Sequence, residues 1–486
     1  MSANRQPSIR QAAMIQFASK ASNVVVQIVV SMVLARLVTP GEFGLMAIVT
    51  VFTSFFVLVS DMGLSTGIVQ YSELDADDLS GLFLFSAVVS VVLAVLFALL
   101  SFPVSALFSA GQLREMLLLA AVGVLFAALN SVPNGVLRRE KRFLAMGVRL
   151  VAVNVATGGA AVVLALAGAG CYALVAQFVL SCALSFVWNM ALSGVRVRRV
   201  PMLKPLKVVF GFSAFQLAHG FVNYFSRNMD NLLAGLFFGS ATLGLYDKAY
   251  RLSTYPVSAF NSVVASVLHP FLAEYRDDSG EIYRRFLKLT KGLFVIGVFV
   301  SACCVAASDE IIVVAFGDQW SEAGVLFMAL AASTMFQIVS SMTGPVFQSL
   351  GRTREAFLTA VVNTAITLAA ILCGVASGDV VVLACLVSVS YFLNPIATFY
   401  LLVARAFRMP IAPFVREMLP QLVVAAIMLV AGVGVRVLVD WCALPFWPFA
   451  PLVAKLGLCT VGYAVLLAVT GQWRYAWALI VRGSAR

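Results

Sequence analysis

The chain of 486 residues is 62% hydrophobic and only 11% charged, with a mean hydropathy of +0.99, which excludes a water-soluble fold of this size for want of polar surface. Runs such as 83–100, "FLFSAVVSVVLAVLFALL", are apolar all round and long enough to cross a hydrocarbon layer about 30 Å thick, so a transmembrane β-barrel with alternating strands is excluded as well. The net charge is +11, but its Lys and Arg are scattered through short loops, a pattern of membrane topology and not of nucleic-acid binding.

Taken in chain order, the first twenty residues carry Arg5, Arg10 and Lys20 and lack the short apolar core and small-residue cleavage site of a removable signal peptide. Apolar stretches bounded by charge, Gly or Pro then predict an all-α polytopic membrane protein of about fourteen spans. They lie near 12–36, 42–62, 79–102, 113–133, 143–167, 172–193, 208–237, 241–268, 288–307, 322–350, 355–376, 380–404, 415–438 and 448–470. The basic connections 138–142 ("RREKR"), 196–207 and 351–354, with Arg405, Arg408 and Arg416, put the N-terminus and the even-numbered loops in the cytoplasm, and the C-terminus with them. The segment 308–322, "SDEIIVVAFGDQWSE", has only acidic charges and fits an outer loop. The acidic "ELDADD" (73–78) dissents, but acidic residues weigh little in this rule. Eight cysteines, mostly within apolar stretches and without metal-type spacing, read as small buried side chains with no disulfide framework.

An internal echo at an offset of about 200 residues pairs "LARLVTPGEFGL" (34–45) with "LAGLFFGSATLGL" (233–245), matching Gln16, Asn23 and Gly44 with Gln216, Asn223 and Gly244. Six spans separate the copies, so both halves keep one orientation, and substrate sites in such parallel repeats lie between the halves. The expected organisation is an N-terminal six-helix lobe (1–195), a basic cytoplasmic linker (196–207), a C-terminal six-helix lobe (208–405), and two additional helices with a cytoplasmic tail (406–486).

The seventh span contains an anomaly, "NYFSRNMDNLLAG" (223–235). Its polar residues Gln216, His219, Asn223, Arg227 and Asp230 recur at helical spacing and so share one face. Gln16, Lys20, Asn23, Gln27 and Ser31 do the same in the first span. A charge at the bilayer centre costs roughly 2.5 to 3.5 kcal/mol on insertion scales, so both stripes are expected to line a wet cavity and not lipid. Two plainer readings stand beside this one: a span that ends near Tyr224 with 228–240 as an outer loop, or a purely structural Arg227–Asp230 pair. Arg149, Asn154 and Asn130 extend the polar content of the first lobe, although single Asn residues in spans commonly serve as interhelical glue. Cationic groups suit an anionic passenger, and Arg grips phosphate bidentately. The candidate binding residues are therefore Arg227, Lys20, Asn23, Gln27, Asn223 and Arg149. Asp230 is the first candidate for a coupling cation or proton and Asp61 the second, with an interfacial role at a span end as the plainer account of Asp61.

Other signals lead nowhere. "GLSTG" (63–67) has the spacing of a nucleophile elbow but closes a membrane helix, His219 and His269 have no ligand partners at metal spacing, and no phosphate-cradling Gly loop is followed by Lys.

The segments "LARLVTPGEFGLMAIVTVFTSFFVLVSDMGLSTGIVQ" (34–70), "PNGVLRREKRF" (133–143), "YFSRNMDNLLAGLFFGSATLGLYDKAYRLSTYPV" (224–257), "FGDQW" (316–320) and "PVFQSLGRT" (345–353) resemble the polysaccharide transporter family. These are the Wzx-type flippases of the multidrug/oligosaccharidyl-lipid/polysaccharide (MOP) exporter superfamily, and the likeness is strongest to the branch with colanic acid and other exopolysaccharide exporters. The resemblance implies the MOP flippase fold, two pseudo-symmetric six-helix lobes plus two helices around a central cavity. It also implies export of undecaprenyl-diphosphate-linked oligosaccharide units across the bacterial inner membrane for exopolysaccharide or lipopolysaccharide synthesis. No cofactor is implied beyond Na+ or H+ as coupling ion. The implied partners are the lipid-linked oligosaccharide, the phospholipid bilayer, and a polymerase and chain-length regulator, with no nucleic acid. Alternatives are a multidrug or cation antiporter, which calls for an acidic cavity, and a polytopic glycan polymerase or ligase, which calls for reactive groups on a sizeable outer loop. The expectation is a transporter, not an enzyme.

Overall fold

The computed structural model describes residues 9–71, 73–198, 200, 203–273, 279–442 and 448–472. The side chains of 9–17, 203–219, 222, 223, 226, 262–273, 279 and 353 lie outside that description. Every regular element among the described residues is helical, and the chain divides into two compact units, Met1–Gly244 and Leu245–Arg486.

The first unit contains α1 (Ile9–Leu37), α2 (Pro40–Asp61), α3 (Leu64–Gln70), α4 (Ala76–Leu107), α5 (Gly111–Leu129), α6 (Ser131–Arg139), α7 (Phe143–Leu166), α8 (Cys171–Ser193) and the first part of α9 (Leu203–Ala273). Local chemistry sets several of these ends. Thr39 and Glu42 form a reciprocal capping box with Pro40 in the first turn. The other oxygen of Glu42 accepts from the Cys171 backbone N–H at 3.0 Å, so the residue that starts α2 also holds the start of α8. The left-handed Met62 (φ 42°) and Gly63 (φ 72°) bend α2 into α3, which packs on α6. The "GLSTG" segment is thus the start of a helix, with Ser65 donating to the Ser131 carbonyl at 2.9 Å.

Helix α4 shows how such a unit coheres in lipid. Ser80, Ser86, Ser90 and Ser101 are buried, while Val88, Val91, Val95 and Leu99 face outward, each more than half exposed. Each serine hydroxyl donates to a carbonyl three or four residues back, which satisfies the polar group without a partner from water. The small side chains then allow close helix contact, the source of packing energy where lipid offers no hydrophobic drive.

The second unit begins within α9 and continues with α10 (Ser279–Ala306), α11 (Ser308–Phe316), a 3₁₀ turn (Asp318–Trp320), α12 (Ala323–Ala331), α13 (Thr334–Ser340), α14 (Thr343–Ser349), α15 (Thr353–Ala376), α16 (Val380–Tyr400), a π-helical turn (Leu401–Ala406), α17 (Ile411–Trp441) and α18 (Phe449–Thr470). Helix α10 is the hub, in contact with α12, α13, α17 and α18, so the two additional helices are built into this unit. Its aromatic centre stacks Phe286 on Phe414 with ring centroids 6.2 Å apart and adds Phe399 and Phe407.

Eleven helices among the described residues are long and apolar enough to span a membrane, or twelve if the pair Ala323–Ala331 and Thr334–Ser349, bent by 43°, is one span. The protein is a multi-span membrane protein, and the expected count of fourteen is not reached on this measure. The expected spans 208–237 and 241–268 both fall on α9, whose helical dihedrals break at Gly239 (φ 83°, ψ 171°), a conformation open only to glycine. The expected outer loop 308–322 is instead mostly helical, and its Trp320 is fully buried.

Candidate functional site

The expected site residues of the first unit fall into two groups. Lys20, Asn23 and Gln27 lie on α1, which packs along α7. At Gly147 of α7 an added Cβ would sit 2.1 Å from Ser19 Oγ, so the two helices nearly touch at the level of Lys20 and Arg149. Asn23 is tied across this seam, its Oδ1 accepting from Asn154 Nδ2. Lys20 and Gln27 are exposed. Arg149, also on α7, is half-buried with Nε and Nη1 enclosed and without a hydrogen-bond partner. The neighbouring charge that acts on it is another cation, Arg138. An enclosed guanidinium without an acceptor is costly, and an anion seated against it supplies the acceptors that these nitrogens lack.

The second group lies on α9 against α2. The helix runs without interruption through 228–238, so the segment read alternatively as an outer loop is helical. Tyr224 donates from its hydroxyl to the Val51 carbonyl at 2.6 Å, and Phe55 makes ring contacts with Phe221, Tyr224 and Phe225. Phe55, Tyr224 and Phe225 with Asn228 and Met229 line an apolar pocket of about 330 Å³. Arg227 is exposed, whereas Asp230 is only 4% exposed and accepts from the Asn231 backbone N–H at 2.9 Å. Asn228 donates to the Tyr224 carbonyl at 2.9 Å. The side chain of Asn223 lies outside the described residues, as do those of Gln216 and His219.

The crossing of α2 with α9 depends on the two glycines of the sequence echo. A Cβ on Gly44 would fall 1.7 Å from the Ser240 carbonyl oxygen, and one on Gly244 would fall 2.0 Å from the Pro40 carbonyl oxygen. Both approaches are backbone to side-chain-free backbone, which only glycine permits.

Asp61 sits where α2 ends, and its Oδ1 accepts from Ser65 Oγ at 2.6 Å. The carboxylate stabilises the α2–α3 bend there.

Two features escaped the reading of the sequence. A cavity of about 600 Å³ opens at the end of the first unit that carries Arg139, Arg142, Arg196 and Arg198, residues read only as topology signals. In the second unit, Glu310 and Lys455 form an enclosed ion pair of 2.6 Å, with Asp440 at 2.7 Å from the same amine. Arg436 joins Asp309 at 2.6 Å beside it. Partners so distant along the chain leave no local spacing to detect.

Residues 33–325 match a family described as polysaccharide biosynthesis protein. The teichuronic acid biosynthesis protein TuaB of Bacillus subtilis (strain 168) is 26% identical over 347 residues, which cover 68% of this chain and 69% of TuaB. The lipopolysaccharide biosynthesis protein WzxC of Escherichia coli (strain K12) is 22% identical over 360 residues, 70% of each chain. Among solved structures, the lipid II flippase MurJ in an inward closed conformation aligns with a TM-score of 0.72 at 13% identity, covering 94% of this chain and 98% of that one. That likeness shows a common fold.

Proposed function

The chain belongs to the polysaccharide biosynthesis protein family, whose match spans more than half of it, and from that premise we propose that it flips lipid-linked oligosaccharide units across the bacterial inner membrane by alternating access. The basic loops support a cytoplasmic position for both termini. The physical task is to carry a charged diphosphate and hydroxyl-rich sugars through a layer in which an unpaired charge is very costly. The protein performs it by supplying cations and amide groups in exchange for hydration, and it makes or breaks no covalent bond.

The observation that carries this reading is Arg149, whose two enclosed nitrogens lack acceptors. A diphosphate offers several oxygens with the spacing that guanidinium binds bidentately. Lys20, Gln27 and Arg227 are exposed. Asp230 is the proposed site of coupling to Na+ or H+, supported by its burial in a span. A polymerase and a chain-length regulator are the proposed recipients of the flipped unit. A multidrug or cation antiporter of the same fold would need acidic cavity groups where this chain has Lys20, Arg149 and Arg227.

Deleting the gene tests the proposal. Lipid-linked repeat units are expected to accumulate on the cytoplasmic leaflet, and unchanged glycan export in that strain would remove the flippase reading.

A further inference from the structure

The basic end of the first unit has a cavity of about 600 Å³ where the start of α4, the end of α6 and the chain after α8 converge. Its floor is apolar, with Leu79, Val136 and Leu192, and its walls carry Arg139, Arg142, Arg196 and Arg198 against Asp75 and Glu140. Several of these groups are held in place. Both terminal nitrogens of Arg139 donate to the Leu74 carbonyl at 3.0 Å, and Arg142 donates to the Leu192 carbonyl at 3.0 Å and pairs with Glu140 at 2.7 Å. Arg198 pairs with Asp77 at 3.0 Å. The buried Ser80 donates to the Arg196 carbonyl at 2.5 Å, which fixes the backbone of the linker against α4 and leaves the exposed Arg196 guanidinium at the cavity mouth.

We propose that this cavity is a binding site for a phosphate ester, and that its ordinary occupant is the phosphate of a membrane lipid headgroup. Four arginines outweigh the three carboxylates Asp75, Asp77 and Glu140, so the site favours an anion. The apolar floor beneath a basic rim matches an amphiphile, with the acyl region against Leu79 and Val136 and the phosphate among the guanidiniums. The volume suits a headgroup. Basic pockets between spans at the cytoplasmic face are where phospholipid headgroups are recognised. The proposal rests on the cytoplasmic placement of this end, not on what the protein transports.

If these arginines served topology alone, they would attract anionic lipid diffusely and without saturation. The test is native mass spectrometry and equilibrium binding on the full chain in phosphatidylcholine nanodiscs, titrated with phosphatidylglycerol or, separately, with inorganic phosphate. One saturable phosphatidylglycerol site is expected, weakened about fivefold by Arg196→Gln and again by Arg198→Gln, and unaffected by Arg114→Gln, which removes the same charge elsewhere. Saturable binding of inorganic phosphate at equal affinity, lost in the same variants, would support the phosphate site but overturn the lipid as its occupant. Non-saturable binding, or equal weakening by Arg114→Gln, would overturn the site. Because binding is read directly, failure here leaves the transport proposal standing, and failure of export tests leaves this one standing.

Discussion

Lys455 and Glu310 form an ion pair of 2.6 Å in which both side chains are wholly enclosed, joining α18 to α11. Asp440 of α17 shares the Lys455 amine at 2.7 Å, and Arg436 of the same helix pairs with Asp309 at 2.6 Å. Removing one member of such a pair strands a charge, which costs about 3 to 5 kcal/mol, whereas removing both is often nearly neutral. Lys455→Met is therefore expected to lower stability by about that amount, and Lys455→Met with Glu310→Gln to recover most of it. Unfolding in mixed SDS micelles measures both, and additive losses would show that the two groups do not act as a pair.

Arg149 gives the opposite expectation. Its Nε and Nη1 gain nothing from the fold, so Arg149→Met should leave the unfolding midpoint unchanged or raised while export falls at least tenfold. A lysine at 149 keeps the charge but loses the planar fork and should restore only part of the export. A variant that exports normally, or that unfolds early, would assign Arg149 to structure.

Replacing Gly44 or Gly244 with Ala forces α2 away from α9, because the new methyl meets a carbonyl oxygen at 1.7 or 2.0 Å. Overpacking of this kind typically costs about 1 to 3 kcal/mol, and backbone cannot rotate aside as a side chain can. Both variants are expected at the upper end of that range, with export lost in parallel. Gly41, which faces open space, is the control, and Gly41→Ala should be silent.

The two acidic candidates part company by their contacts. Asp61 accepts from Ser65 at the α2–α3 bend, so Asp61→Asn should reduce stability by about 1 kcal/mol and leave gradient dependence intact. Asp230→Asn should fold normally and uncouple export from the ion gradient. Vesicle transport driven by imposed Na+ or pH gradients distinguishes them, and gradient-driven flipping by Asp230→Asn would move the coupling site elsewhere.

Arg227→Ala is expected to abolish export with the protein still inserted and folded. Wild-type export would reduce Arg227 to a role at the helix surface.

Much of the architecture was readable because the membrane imposes it. Long apolar runs became α4, α7, α8 and α15, the Thr39–Glu42 signature became a capping box, and the gap left between the seventh and eighth expected spans falls on Gly239. The segment 308–322 reads as an outer loop because Asp309 and Glu310 look like exposed acids until their partners Arg436 and Lys455, 127 and 145 residues away, are in place. Helical spacing located the stripe on α1, yet no spacing rule reveals that Asn154 occupies Asn23, since that contact arises only when α1 lies along α7. The arginines at 139, 142, 196 and 198 were visible as charge, but a cavity needs three chain segments to converge.

The serine-inward, valine-outward arrangement of α4 reverses the usual tolerance map of a protein. Exchanging Val91 or Val95 for any oily residue should pass unnoticed, while Ser90→Val, a change that would strengthen the interior of a soluble enzyme, should wedge neighbouring helices apart. Stabilising this protein for biochemical work therefore calls for making its inside smaller, not greasier.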